Sequence, residues 1–114
     1  MLENGVSLTD IATLIDKELQ ASRDERQERF HSPFEGWGVL IEEWDELAEE
    51  IARLTDEIAD VWEDIKSDNC SESIAIEQAC LSSMTMIQEA VQVGAMLVKL
   101  AECMQDFKSK TKID

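Results

Sequence analysis

Between Trp37 and Ile65, apolar residues recur at alternating steps of three and four: Trp37, Leu40, Trp44, Leu47, Ile51, Leu54, Ile58, Val61 and Ile65. Regularity of that kind over successive heptads predicts one long α-helix with an apolar seam, about 45–50 Å long at ~1.5 Å per residue. A strand does not fit the pattern, because its side chains alternate faces at every second residue. The start of this helix is marked by Ser32-Pro33-Phe34-Glu35: an N-cap serine, a proline at the first helical position and a glutamate at the third. The helix is expected to end near Lys66.

Two more helices flank it. In SLTDIATLIDKELQASRDERQERF, residues Leu8, Ile11, Leu14, Ile15 and Leu19 share a helical face, and Ser7 or Thr9 can cap the start. The second half, ASRDERQERF, is so polar that it reads as solvent-facing. SDNCSES, residues 67–73, has no helical period and reads as a loop. From about Ile74 to Phe107 a third helix is apolar on most of its circumference, as at the centre of a bundle or in an oligomer interface. The expected fold is therefore all-α: an antiparallel helical bundle of two long helices and a shorter N-terminal one, completed by oligomerisation, most simply as a homodimer. Residues 1–108 form one domain in this reading, and the basic segment 109–114 is a frayed tail.

Composition agrees: one Pro, four Gly and no Tyr in 114 residues suit helices better than a turn-rich β protein. The net charge of −16 argues against direct contact with a nucleic-acid backbone, which is held by Lys and Arg. Cys70, Cys80 and Cys103 are odd in number and contain no C-x-x-C pair, so a reducing, cytoplasmic setting is expected rather than a disulfide framework or thiolate zinc site. The N-terminal MLENGVSLTD lacks the pattern of a signal peptide, and Lys99 interrupts the most apolar stretch, so no membrane span is expected.

Most of the acids make an ordinary solvated surface, but a few sit where that account is insufficient. Glu43 and Glu46 share one face of the long helix beside the apolar seam, with Glu42 adjacent. On the third helix Glu89 and Gln92 form an E-x-x-Q pair within an apolar run. Two antiparallel helices joined by a short loop can bring the two sets together. Two carboxylates ~5 Å apart repel by roughly 3 kcal/mol at an effective dielectric near 20. A cation relieves that, and an oxygen-only donor set points to Mg²⁺ or Mn²⁺. The competing account is that Glu42, Glu43 and Glu46 line a wet helix face and Glu89 pairs with an Arg or Lys. The single histidine, His31, lies at a helix start, which removes the Glu-x-x-His pairs of a ferritin-like di-iron site.

These residues resemble the MazG-like all-α NTP pyrophosphohydrolases, whose signature is E-E-x-x-E, a spacer and E-x-x-D. Glu42 to Glu46, EEWDE, matches the first half. SPFEGWGVLIEEWDELAEEI followed by EAVQVGAMLVKLAE is similar to a branch found in Gram-positive bacteria and their phages, over most of Arg29 to Glu102. Glu57 and Asp60 satisfy E-x-x-D literally, yet lie on the same predicted helix as Glu46, about 16 Å further along it. Glu89 and Gln92 have the intervening loop, so the second half is carried over to them, with Gln92 where the family has Asp. An amide oxygen ligates without charge, which lowers the expected ion affinity and bears on activity.

The resemblance implies cleavage of a nucleoside triphosphate to the monophosphate and pyrophosphate. It implies Mg²⁺, or Mn²⁺, held by Glu43, Glu46, Glu89 and Gln92, with Glu42 supporting the site or activating water. Lys99 is then set against a phosphate and Trp37 against a base, although a snorkelling lysine and a core-packed tryptophan are the plainer alternatives. A non-enzymatic helical oligomerisation or interaction module of the same fold is the second reading. An acidic DNA mimic is a third, resting on net charge alone.

Overall fold

A computed structural model of the protein describes residues 5–25 and 29–112. It is all-α among these residues: α1 spans Leu8–Glu25, α2 Pro33–Lys66 and α3 Ile74–Lys112, with a short 3₁₀ turn at Cys70–Glu72. The uninterrupted α2 agrees with the heptad reading. α3 runs past the expected end at Phe107, through the first residues of the basic tail, as far as Lys112; residues 113 and 114 lie outside the described residues.

Each helix begins where its sequence provides a cap. Ser7 Oγ accepts from the Asp10 N–H at 3.1 Å while Asp10 Oδ2 accepts from the Ser7 N–H at 3.0 Å, a reciprocal box that starts α1. At α2 the Ser32 Oγ accepts from the Glu35 N–H, and the Glu35 carboxylate reaches back to the N–H of His31. Ser73 Oγ accepts from the Ile76 N–H at the start of α3 and donates to Asp64 Oδ2 at 2.6 Å. The end of α2 closes with Asp68 at a φ of 58°. The Asn69 N–H bonds to the Asp64 carbonyl and the Asp68 N–H to that of Ile65, which is the Schellman pattern with aspartate in the left-handed position that glycine commonly takes.

By its internal contacts the chain groups into two compact units, residues 1–43 with 91–114, and residues 44–90. In the first, Leu19, Phe30, Leu40, Val93, Met96 and Leu100 make the core. Of the polar segment 21–30, Ala21, Asp24 and Arg29 face solvent as its composition suggested, but Ser22 is buried and Arg23 is half-buried and paired with Glu102; residues 26–28 lie outside the described residues. Arg29 pairs with Asp106 at the surface.

The second unit is a helical hairpin, α2 from Trp44 onward and α3 up to Ala90, joined by residues 67–73. Here the heptad seam divides. Leu47 is buried and Leu54 and Val61 are half-buried, whereas Trp44, Ile51, Ile58 and Ile65 are exposed. Along the helix the two sets follow different lines about 60° apart, and α3 covers one of them. Among the described residues no helix is long and apolar enough to cross a membrane.

Candidate metal centre

Glu43 and Glu46 stand three residues apart on continuous α2, so they project from neighbouring positions of one helix face. Glu89, on α3, belongs with Glu46 to residues 44–90. One carboxylate oxygen from each of Glu43, Glu46 and Glu89 lies within 4.8 Å of the others; Glu43 and Glu89 are half-buried and Glu46 is exposed. Three carboxylates that close repel by a few kcal/mol per pair at an effective dielectric near 20. The donor set is oxygen only, which fits a hard divalent cation of the Mg²⁺ or Mn²⁺ type. Local sequence explains the geometry. The E-x-x-E step of α2 puts two acids on adjacent turns, and the short connection returns α3 antiparallel.

The other expected residues are placed as follows. Glu42 is exposed and is not among the three converging carboxylates. Gln92 is half-buried, one turn beyond Glu89 on α3. Glu57 and Asp60 lie on α2 with Glu46, in one uninterrupted helix, so the literal E-x-x-D match begins about three helical turns away from Glu46. Trp37 is 58% exposed and so is not a core residue.

Lys99 is 2% exposed. Its Nζ donates to Ser22 Oγ at 3.3 Å and lies 4.9 Å from the centroid of the Phe30 ring. The head group set at a phosphate by the resemblance is inside the first unit, and it is not a snorkelling lysine with its charge in water either. The signal for this was Ser22 in the segment that looked merely polar.

Further down α2, Glu50 Oε2 and Glu57 Oε1 are buried side-chain oxygens without a hydrogen-bond partner, although Glu50 also pairs with Arg53 through its other oxygen. With Glu43 and Asp64 they form a file of half-buried acids at seven-residue spacing, which the apolar pattern alone did not reveal. All three cysteines are free, and only Cys103 is buried. No family model, curated protein or solved structure matches the chain.

Proposed function

We propose that the protein is a Mg²⁺-dependent nucleoside triphosphate pyrophosphohydrolase of the house-cleaning type, resembling the MazG-like family, which converts an NTP or dNTP to the monophosphate and pyrophosphate. The observation that supports this reading is the convergence of Glu43, Glu46 and Glu89 within 4.8 Å. A bound Mg²⁺ or Mn²⁺ supplies Lewis acidity towards phosphate oxygens and screens them from the acidic protein. Glu43, Glu46 and Glu89 hold the cation, and Gln92 contributes a neutral amide oxygen. Glu42, solvent-exposed beside Glu43, accepts the proton of the attacking water as the bridge between the α and β phosphates breaks. Trp37 offers an exposed ring to a base. Lys99 is left out of this set because its ammonium is buried against Ser22 and Phe30. A cytoplasmic location and a homo-oligomeric state belong to the same reading.

The test is pyrophosphate release from a panel of NTPs and dNTPs at millimolar Mg²⁺. Turnover of at least one nucleotide, reduced at least a hundredfold in Glu46→Gln, is expected. No turnover and no metal-dependent nucleotide binding across the panel rejects it.

A second reading, a catalytically inactive helical interaction module, is favoured by the exposed apolar line Trp44, Ile51, Ile58 and Ile65. The same panel separates the two, together with thermal melts with and without Mg²⁺: no metal-dependent shift favours the module.

A further inference from the structure

The metal reading leaves the loop end of the hairpin unused. There Val61, Asp64 and Ile65 of α2, Cys70 of the 3₁₀ turn, and Ser73 and Ile76 beside the start of α3 line a cavity of about 180 Å³. Its walls are largely aliphatic: Ile65 and Ile76 are 49% and 46% exposed, and Val61 is half-buried. Side chains this open keep apolar surface in water until something fills the space between them. An engineered apolar cavity of ~150 Å³ takes one benzene ring, so the space suits a single ring with a short arm. The cavity also carries one carboxylate, held in place. Asp64 is half-buried, and Ser73 Oγ donates to its Oδ2 at 2.6 Å while accepting from the Ile76 N–H at 3.3 Å. A hydroxyl oxygen has two lone pairs, so Ser73 Oγ keeps one for a further donor. Among the described residues no hydrogen bond or ion pair engages Asp64 Oδ1. The surrounding charge is of one sign: between Glu57 and Cys80 the sequence holds seven acids and a single base, Lys66. Lys66 lies roughly 150° around α2 from the cavity-lining residues, where it pairs with Glu63 and sits over the Trp62 ring.

We propose that this cavity binds a small apolar monoamine in its ammonium form. Its ring or branched chain lies between Val61, Ile65 and Ile76, and the ammonium donates to Asp64 Oδ1 and Ser73 Oγ. Charge-assisted hydrogen bonds of this kind are the strong ones, and the Ser73 clasp fixes the carboxylate before the ligand arrives, which lowers the entropy lost on binding. Electrostatics selects the ligand further. An amino acid carries a carboxylate as well as an ammonium group, and that second charge meets Asp68 and Glu72 on either side of Cys70 in the chain. The favoured class is therefore the amine left when an aromatic or branched amino acid loses its carboxylate, and not the amino acid itself. Asp64 is about 27 Å from Glu46 along α2 at ~1.5 Å per residue. The inference goes beyond the metal reading and does not depend on it: amine binding without nucleotide turnover overturns only the other proposal, and turnover without amine binding overturns only this one.

An amide NMR titration of the full chain with benzylammonium tests it, at about 0.15 M NaCl to screen the general attraction of an acidic surface. Shifts concentrated in residues 61–76 are expected, with a dissociation constant on the order of 1 mM for a ligand this small. Methylammonium, which lacks the ring, benzyl alcohol, which lacks the charge, and the amino acid phenylalanine are each expected to bind about tenfold more weakly. Asp64→Asn, which keeps an oxygen for Ser73, is expected to lose about tenfold in affinity with its helical circular dichroism retained. Should that variant fail to fold, alkylation of the wild type by iodoacetamide reads the same site. Cys70 lines the cavity, whereas Cys80 is exposed outside it. Saturating benzylammonium is expected to slow alkylation of Cys70 about threefold or more and to leave Cys80 unchanged. No shifts at residues 61–76, equal binding of any of the three control compounds, a folded Asp64→Asn that binds like the wild type, or Cys70 alkylated as fast with the amine as without it each overturns the proposal.

Discussion

Lys99 Nζ of α3 donates to Ser22 Oγ of α1 at 3.3 Å, inside the core of the first unit, with the Phe30 ring 4.9 Å away. The contact joins residues 77 apart in sequence and sets a cation beside an aromatic face and a hydroxyl. Lys99→Ala removes both the charge and the four-carbon stem, leaving a cavity and an unpaired hydroxyl. Urea denaturation should show a loss of about 2–4 kcal/mol. Lys99→Met, which keeps the volume, should cost less than Lys99→Ala because it leaves no cavity.

Gly36 and Gly38 are both in the first two turns of α2, but their surroundings differ. A Cβ on Gly36 would lie 2.7 Å from Phe30 Cδ2 and 2.8 Å from Leu100 Cδ1, while one on Gly38 meets nothing within 4 Å. Gly36→Ala is therefore expected to destabilise by about 1–3 kcal/mol through overpacking. Gly38→Ala should stabilise by about 0.5–1 kcal/mol through helix propensity. Thermal melts of the two variants should move in opposite directions.

Asp68 holds a φ of 58° at the end of α2. Glycine adopts that conformation without a Cβ penalty, so Asp68→Gly should raise stability by up to about 1 kcal/mol, and Asp68→Val should lower it by about 1–2 kcal/mol. Chemical denaturation midpoints give the order Gly, Asp, Val.

At the acidic cluster the sign of a mutation should depend on the ion. Without divalent cation, Glu46→Gln removes a charge lying close to those of Glu43 and Glu89, so the melting temperature should rise by a few degrees. With millimolar Mg²⁺ the wild type should gain stability and the variant should gain much less. Parallel responses in the two proteins count against a shared ion.

Much of the architecture was legible because the signals were local. The steps from Trp37 to Ile65 and the Ser32-Pro33-Phe34-Glu35 cap are properties of neighbouring residues, and α2 follows them from Pro33 to Lys66. The convergence of Glu43, Glu46 and Glu89 was legible for a related reason: a short loop constrains where α3 returns. What depended on distant partners was not. Periodicity alone does not say which of Leu47 and Ile51 is covered, and only the hairpin's own contacts bury the first and expose the second. The burial of Ser22 and Lys99 likewise needs residues from opposite ends of the chain to meet. Charge along α3 did not end the helix at Phe107, since lysines near a helix C-terminus favour the dipole.

The clasp in which Ser73 Oγ holds Asp64 and caps α3 spans nine residues, while the Arg23–Glu102 pair spans 79. Closing the short loop costs less chain entropy than closing the long one, and contacts local in sequence form sooner. The hairpin of residues 44–90 is thus the part of the chain that can assemble early, with its turn already fixed, while the first unit waits for α1 to meet the far end of α3. On a ribosome, where the N-terminal residues emerge first, α1 therefore spends the longest time without its native partners.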